Sequence, residues 1–103
     1  MEELVVWIGS FKTGEDGQQE GDTRPVRFVG EELASSTQYA EETGLWEVIQ
    51  TLYRREDGRL LVHVKDRSQP DTHLYSLHEA TMEDLQPDGR FAGLGEGGWF
   101  WVL

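Results

Sequence analysis

Apolar side chains occur along this chain in short β-branched or alternating runs, separated by breaks rich in glycine and acid. Residues 4–8 (Leu-Val-Val-Trp-Ile) predict a buried strand with a bend at Gly9. Residues 14–23 carry no apolar side chain and predict a solvated, mobile acidic loop. Residues 24–30 set Val26 and Phe28 against Arg27 and Val29, so they read as a strand. Pro25 cannot donate to a ladder and belongs at that strand's start or on an edge. Residues 31–43 are ambiguous: Glu31-Glu32-Leu33-Ala34 favours helix, and Ser35-Ser36-Thr37 interrupts it.

The clearest unit is a hairpin. Leu45 to Arg55 and Arg59 to Arg67 flank Asp57-Gly58, residue types that tolerate positive φ. A two-residue loop sets Arg55 opposite Leu60 and puts Ile49, Tyr53, Leu60, Val62 and Val64 on one face. A three-residue loop, Glu56-Asp57-Gly58 with a bulge, flips the first strand relative to the second. Leu60, Val62 and Val64 stay together either way and are the firmest core positions. Residues 73–78 alternate as a further strand. Residues 80–86 predict one short helix capped by Thr81 and ended by Pro87-Asp88-Gly89. Residues 93–98 form a glycine-rich connector, and Trp99 to Leu103 closes the chain as a final strand. The expected architecture is a single α+β domain over 1–103, mainly an antiparallel curled sheet of five to six strands with one short helix.

Length and composition narrow the function. A chain of 103 residues with 37% hydrophobic and 11% aromatic side chains supports one core. With no cysteine, disulfides, thiol catalysis and Cys-ligated metals are excluded. The net charge of −11 argues against direct nucleic-acid binding and against anionic membrane surfaces. The longest apolar runs fall well short of a membrane span, and Met1-Glu2-Glu3-Leu4 lacks the positive start of a secretory signal, so a cytoplasmic location is expected.

Chemistry-bearing patterns are weak. His63, His73 and His78 could approach one another, but His73 and His78 differ in strand parity, so no metal site is expected. The acidic run 15–22 lacks calcium-loop spacing. The glycines at 93–98 precede a strand rather than a helix, and Ser35, Ser36 and Ser76 lack a nucleophile context. No catalytic residue and no cofactor is therefore expected.

Charge along the chain is more informative than its total. From Phe28 to Tyr53 there are five acids and no Lys or Arg, and residues 14–23 add four acids. Arg54, Arg55, Arg59, Lys65 and Arg67 supply five of the nine basic residues, all on the hairpin. The chain thus reads as a basic hairpin in an acidic body.

Residues Val26-Arg27-Phe28-Val29-Gly30-Glu31-Glu32-Leu33, followed by Tyr53-Arg54 through Gly58-Arg59 and His63, resemble the central part of the EXLDI family. These are small proteins of bacterial plasmids and mobile elements without an assigned activity. The resemblance spans about residues 26–65. The family's N-terminal ribbon–helix–helix-like region and C-terminal motif have no counterpart here, so the resemblance implies a mobile-element setting and nothing about those parts.

The expected function is that of a small, acidic, non-enzymatic binding protein. It would inhibit by occupying a basic nucleic-acid-binding surface of a bacterial nuclease or defence complex, as anti-CRISPR and DNA-mimic proteins do. The expected partner-binding residues are Glu15, Asp16, Glu20, Asp22, Glu31, Glu32, Glu41, Glu42, Glu83, Asp84 and Asp88, with Trp46, Trp99 and Trp101 as anchors. The alternatives are an immunity or antitoxin protein that neutralises a basic toxin, and a small-ligand or enzymatic module using His63. The chain would act as a monomer or homodimer.

Overall fold

The computed structural model describes residues 1–13, 19–39, 47–69, 72–86, 88–91 and 94. Five antiparallel strands close into a barrel in the order β1 (Glu2–Thr13), β2 (Gln19–Tyr39), β3 (Glu47–Arg55), β4 (Leu60–Gln69) and β5 (Thr72–Ala80). Each strand pairs with its successor, and β5 returns to β1.

β2 is longer than its hydrophobic pattern implies. Residues 19–23, expected in the acidic loop, instead pair with β1 through Gly9↔Thr23 to Thr13↔Gln19. Residues 31–39, left open between helix and strand, pair with β3, with a register shift between Glu32 and Ala34. Backbone pairing, which the polar side chains do not advertise, decides both stretches. β2 passes from one partner to the other at Gly30, which faces Glu2 on β1 and Arg55 on β3. Among the described residues, β1 is the only ladder partner of β2 before Gly30, so Pro25 interrupts no second ladder there.

The hairpin uses the three-residue loop. The Arg55 N–H donates to the Arg59 carbonyl at 2.8 Å, and Gly58 takes φ +87°. Leu52 therefore faces Val62 and Tyr53 faces Leu61. Of the two registers the sequence allows, this is the three-residue one, and it separates Tyr53 from the face of Leu60 and Val62.

β4 is buried on both faces for different reasons. Leu61 joins Val6 and Phe28 in the barrel interior, with Leu4, Val26, Tyr53 and Leu77 packed against them. Leu60 and Val62 point outward and are covered by Leu85, Phe91 and Leu94, with Leu52 and Ala80 completing that cluster. Val64 is only partly buried against the same cluster.

The covering segment begins with a single 3-10 turn, Met82–Leu85, in place of the expected short helix over 80–86. The Asp84 N–H donates to the Thr81 carbonyl and the Gln86 N–H to the Glu83 carbonyl, the three-residue spacing of a 3-10 turn. The Thr81 N–H donates to the Asp84 carboxylate at 2.9 Å, and the Phe91 N–H donates to the Asp84 carbonyl at 2.7 Å. The chain thus folds back over the β3–β5 face. The expected connector over 93–98, apart from Leu94, and the final strand at 99–103 lie outside the described residues. No helix among the described residues is long and apolar enough to cross a membrane.

Candidate functional site

The ladder that closes the barrel is short. It runs from Lys12↔Thr72 to Gly9↔Tyr75 and stops there, although β1 continues to Glu2 and β5 to Ala80. β1 and β5 separate beyond that point and leave a seam. His63 reaches it from β4, where it lies opposite Leu77 of β5 and Thr51 of β3. The ring is 3% exposed, and its Nε2 lies 2.6 Å from the Trp7 carbonyl oxygen, to which it donates. In the neutral ring Nδ1 is then the acceptor nitrogen.

A cavity of about 220 Å³ opens at this seam, lined by Val5, Val6, Trp7, Thr23, Tyr53, His63, Lys65 and Tyr75. The imidazole and the Tyr75 ring have centroids 6.3 Å apart, and Phe11 packs beside Tyr75 at 5.8 Å and stacks on His73 at 4.5 Å. Tyr53 packs edge-on to Phe28. Val5 and Trp7 line the cavity and are also 47% and 50% exposed, so they border solvent.

Burial pushes the His63 pKa down, and the nearby Lys65 ammonium adds to that; the Trp7 hydrogen bond opposes both. Burial also pushes the Tyr53 hydroxyl up, helped by Glu32, while a hydrogen bond with Thr51 opposes. Because the folded His63 is the harder to protonate, the unfolded chain takes up the proton first as pH falls. Stability is therefore expected to decline as pH drops below about 6.5, until the folded ring also protonates. His63→Gln should flatten that part of a stability–pH curve measured by urea unfolding; an unchanged slope would assign it to other groups.

The three histidines do not converge. His73 stacks on Phe11, whereas His78 contacts Ser76 at 2.9 Å and lies 6.0 Å from the Phe91 ring on the opposite face. Among the described residues no three metal-ligating side chains meet.

The acids expected to bind a partner are partly accounted for. Glu31 pairs with Arg54, and Asp84 holds Arg90 at 3.2 Å. Within the hairpin, Arg55 and Arg59 both approach Asp57, at 3.7 and 3.6 Å. The basic hairpin thus does turn part of its charge onto acids of the same molecule. The Arg90 guanidinium holds the Asp84 carboxyl below the usual range. Asp22, Glu32, Glu83 and Asp88 are exposed. Glu20 lies in β2, opposite Lys12. Glu15, Asp16, Glu41, Glu42, Trp46, Trp99 and Trp101 lie outside the described residues.

Some of these acids meet at one end of the barrel. Glu2, Glu31 and Glu32 line an open concavity of about 450 Å³ together with Met1 and Gly30. The row Glu31–Arg54–Leu60–Ala80 crosses the sheet at this end, so the turn bearing Glu83 and Asp84 starts from the same rim. Asp22 lies eight ladder positions from Gly30, about 27 Å away along β2, and belongs to the other end.

Sequence reasoning named His63 but missed Thr23, Tyr53, Lys65 and Tyr75 as its neighbours. The parity of 61, 63 and 65 carries that signal once the three-residue loop fixes Tyr53 opposite Leu61. No family model matches the chain, and neither does any curated protein or solved structure.

Proposed function

We propose that this chain is a non-enzymatic acidic binding protein that occupies a basic, nucleic-acid-binding surface of a bacterial nuclease or defence complex. The observation that supports this reading is the concavity at the barrel rim, where the side chains of Glu2, Glu31 and Glu32 come together with Met1 and Gly30. Glu32 and Glu2 are exposed, and a carboxylate cluster there can take the place of phosphates against Lys and Arg of a partner. Arg54 neutralises Glu31 in part, so Glu2 and Glu32 carry most of the attraction. The likeness of residues 26–65 to the EXLDI family adds a mobile-element setting, in which such an inhibitor would act in the cytoplasm.

The test is capture of nucleic-acid-binding proteins from a bacterial lysate at low and high salt, by the wild type and by Glu2→Lys/Glu32→Lys. Capture is expected at low salt, weakened by screening, and about tenfold or more weaker for the variant. No capture at low salt, or capture indifferent to the two reversals, would overturn the reading.

A further inference from the structure

The seam cavity differs in character from the rest of the molecule. The chain carries −11, yet none of the eight residues lining this cavity is acidic, and the one charged side chain there is Lys65. Lys65 has no ion-pair partner among the described residues; the hairpin arginines at 54, 55 and 59 all have one. Its ammonium is close enough to act on the His63 ring. The hydroxyl-bearing side chains of Thr23 and Tyr75 share the lining with Lys65, while the Tyr53 hydroxyl is engaged by Thr51. The apolar lining is Val6 and the rings of Tyr53 and Tyr75, with Val5 and Trp7 at the solvent border.

We propose that this seam is a binding site for a small aromatic monocarboxylate. Size limits the ligand first. About 220 Å³ exceeds the roughly 150 Å³ of a cavity that takes up benzene, and it falls below the roughly 300 Å³ at which sites for larger molecules begin. A single ring with one substituent fits that interval. Charge selects next, because a lone ammonium beside hydroxyl donors favours one carboxylate, which each can reach by a charge-assisted hydrogen bond. The apolar wall selects the ring, since aromatic faces and valines recover the area that a bare inorganic anion leaves unfilled. His63 holds the wall in place: by donating to the Trp7 carbonyl it anchors β1 where β5 does not. It is a positioning residue, and Lys65 is the recognition residue.

Benzoate is the probe. Adding it to isotopically labelled full-length protein should shift the NMR signals of Thr23, Tyr53, His63 and Tyr75 in a saturable way. Signals of Leu85 and Phe91, on the covered outer face, should stay in place. Benzyl alcohol, of nearly the same shape and uncharged, should bind about tenfold more weakly or worse. Lys65→Gln, at an exposed position that leaves the fold intact, should erase the preference for benzoate over the alcohol. Absence of saturable shifts would overturn the proposal, as would equal binding of acid and alcohol or an unchanged preference in Lys65→Gln. Inorganic phosphate competing as well as benzoate would overturn the assignment to an aromatic ligand. None of these readouts depends on Glu2 or Glu32, so the rim and the seam can fail separately.

Discussion

Leu52→Ala is expected to lower the unfolding free energy by about 2–5 kcal/mol, a large part of the total for a domain of this size. Leu52 is fully buried on the outer face of β3, opposite Val62, beneath Leu85, Phe91 and Leu94. Truncation removes its transfer free energy and leaves a cavity. The β3–β4 ladder prevents the strands from collapsing into it. Urea unfolding measures the loss. Leu74→Ala, at a position that is 46% exposed, should change stability by no more than about 0.5 kcal/mol. If Leu52→Ala is as mild as Leu74→Ala, the covering segment does not seat on the barrel.

Gly9→Val should be comparably damaging, by about 2–4 kcal/mol, for a reason unrelated to cavities. Gly9 adopts φ +123°, where L side chains are strained, and a Cβ built there would collide with the Asp22 carbonyl oxygen of the neighbouring strand. It is also the last residue of β1 to pair with β5. A side chain at this point forces β1 away from β2 or out of the closing ladder. Thermal unfolding of Gly9→Ala and Gly9→Val should show both destabilised, the valine more so. A valine variant as stable as the wild type would mean that β1 does not bend at Gly9.

Most of the architecture follows from alternation and turn chemistry. The strands around Val5, Phe28, Tyr53, Val62 and Tyr75 are visible because one face of each is apolar, and Asp57-Gly58 marks the hairpin between two of them. Three things are not visible. The stretches 19–23 and 31–39 are polar, and they become strand because a neighbour offers a ladder, which no local pattern records. The covering turn reads as helix because Thr81, Glu83 and Asp84 are good first-turn residues, yet its hydrogen bonds take the three-residue spacing of a 3-10 turn. The two-sided burial of β4 shows as the unbroken run Leu60-Leu61-Val62, but the sequence does not say that one side faces the barrel and the other Leu85 and Phe91. The site was legible to the same degree. His63 stood out by its residue type, whereas Tyr53, Lys65 and Tyr75 join it through register across three strands. The placement of Tyr53 depends on a single residue of loop length, and that of Tyr75 on the β4–β5 ladder.

The closing ladder between β1 and β5 has a consequence for the order of assembly. The other four ladders join strands adjacent in sequence and can form as hairpins. The fifth brings residues 9–12 to residues 72–75, closing some sixty residues of chain with four pairs. Ring closure over that length costs about 2 kcal/mol more in chain entropy than a short hairpin loop. The five-stranded meander is therefore expected to form first, with β1 clasped to β5 last. The same clasp, the shortest of the five ladders among the described residues, is expected to open at the lowest cost. His63 and the cavity lie directly beside it, so parting the ring there also uncovers the cavity.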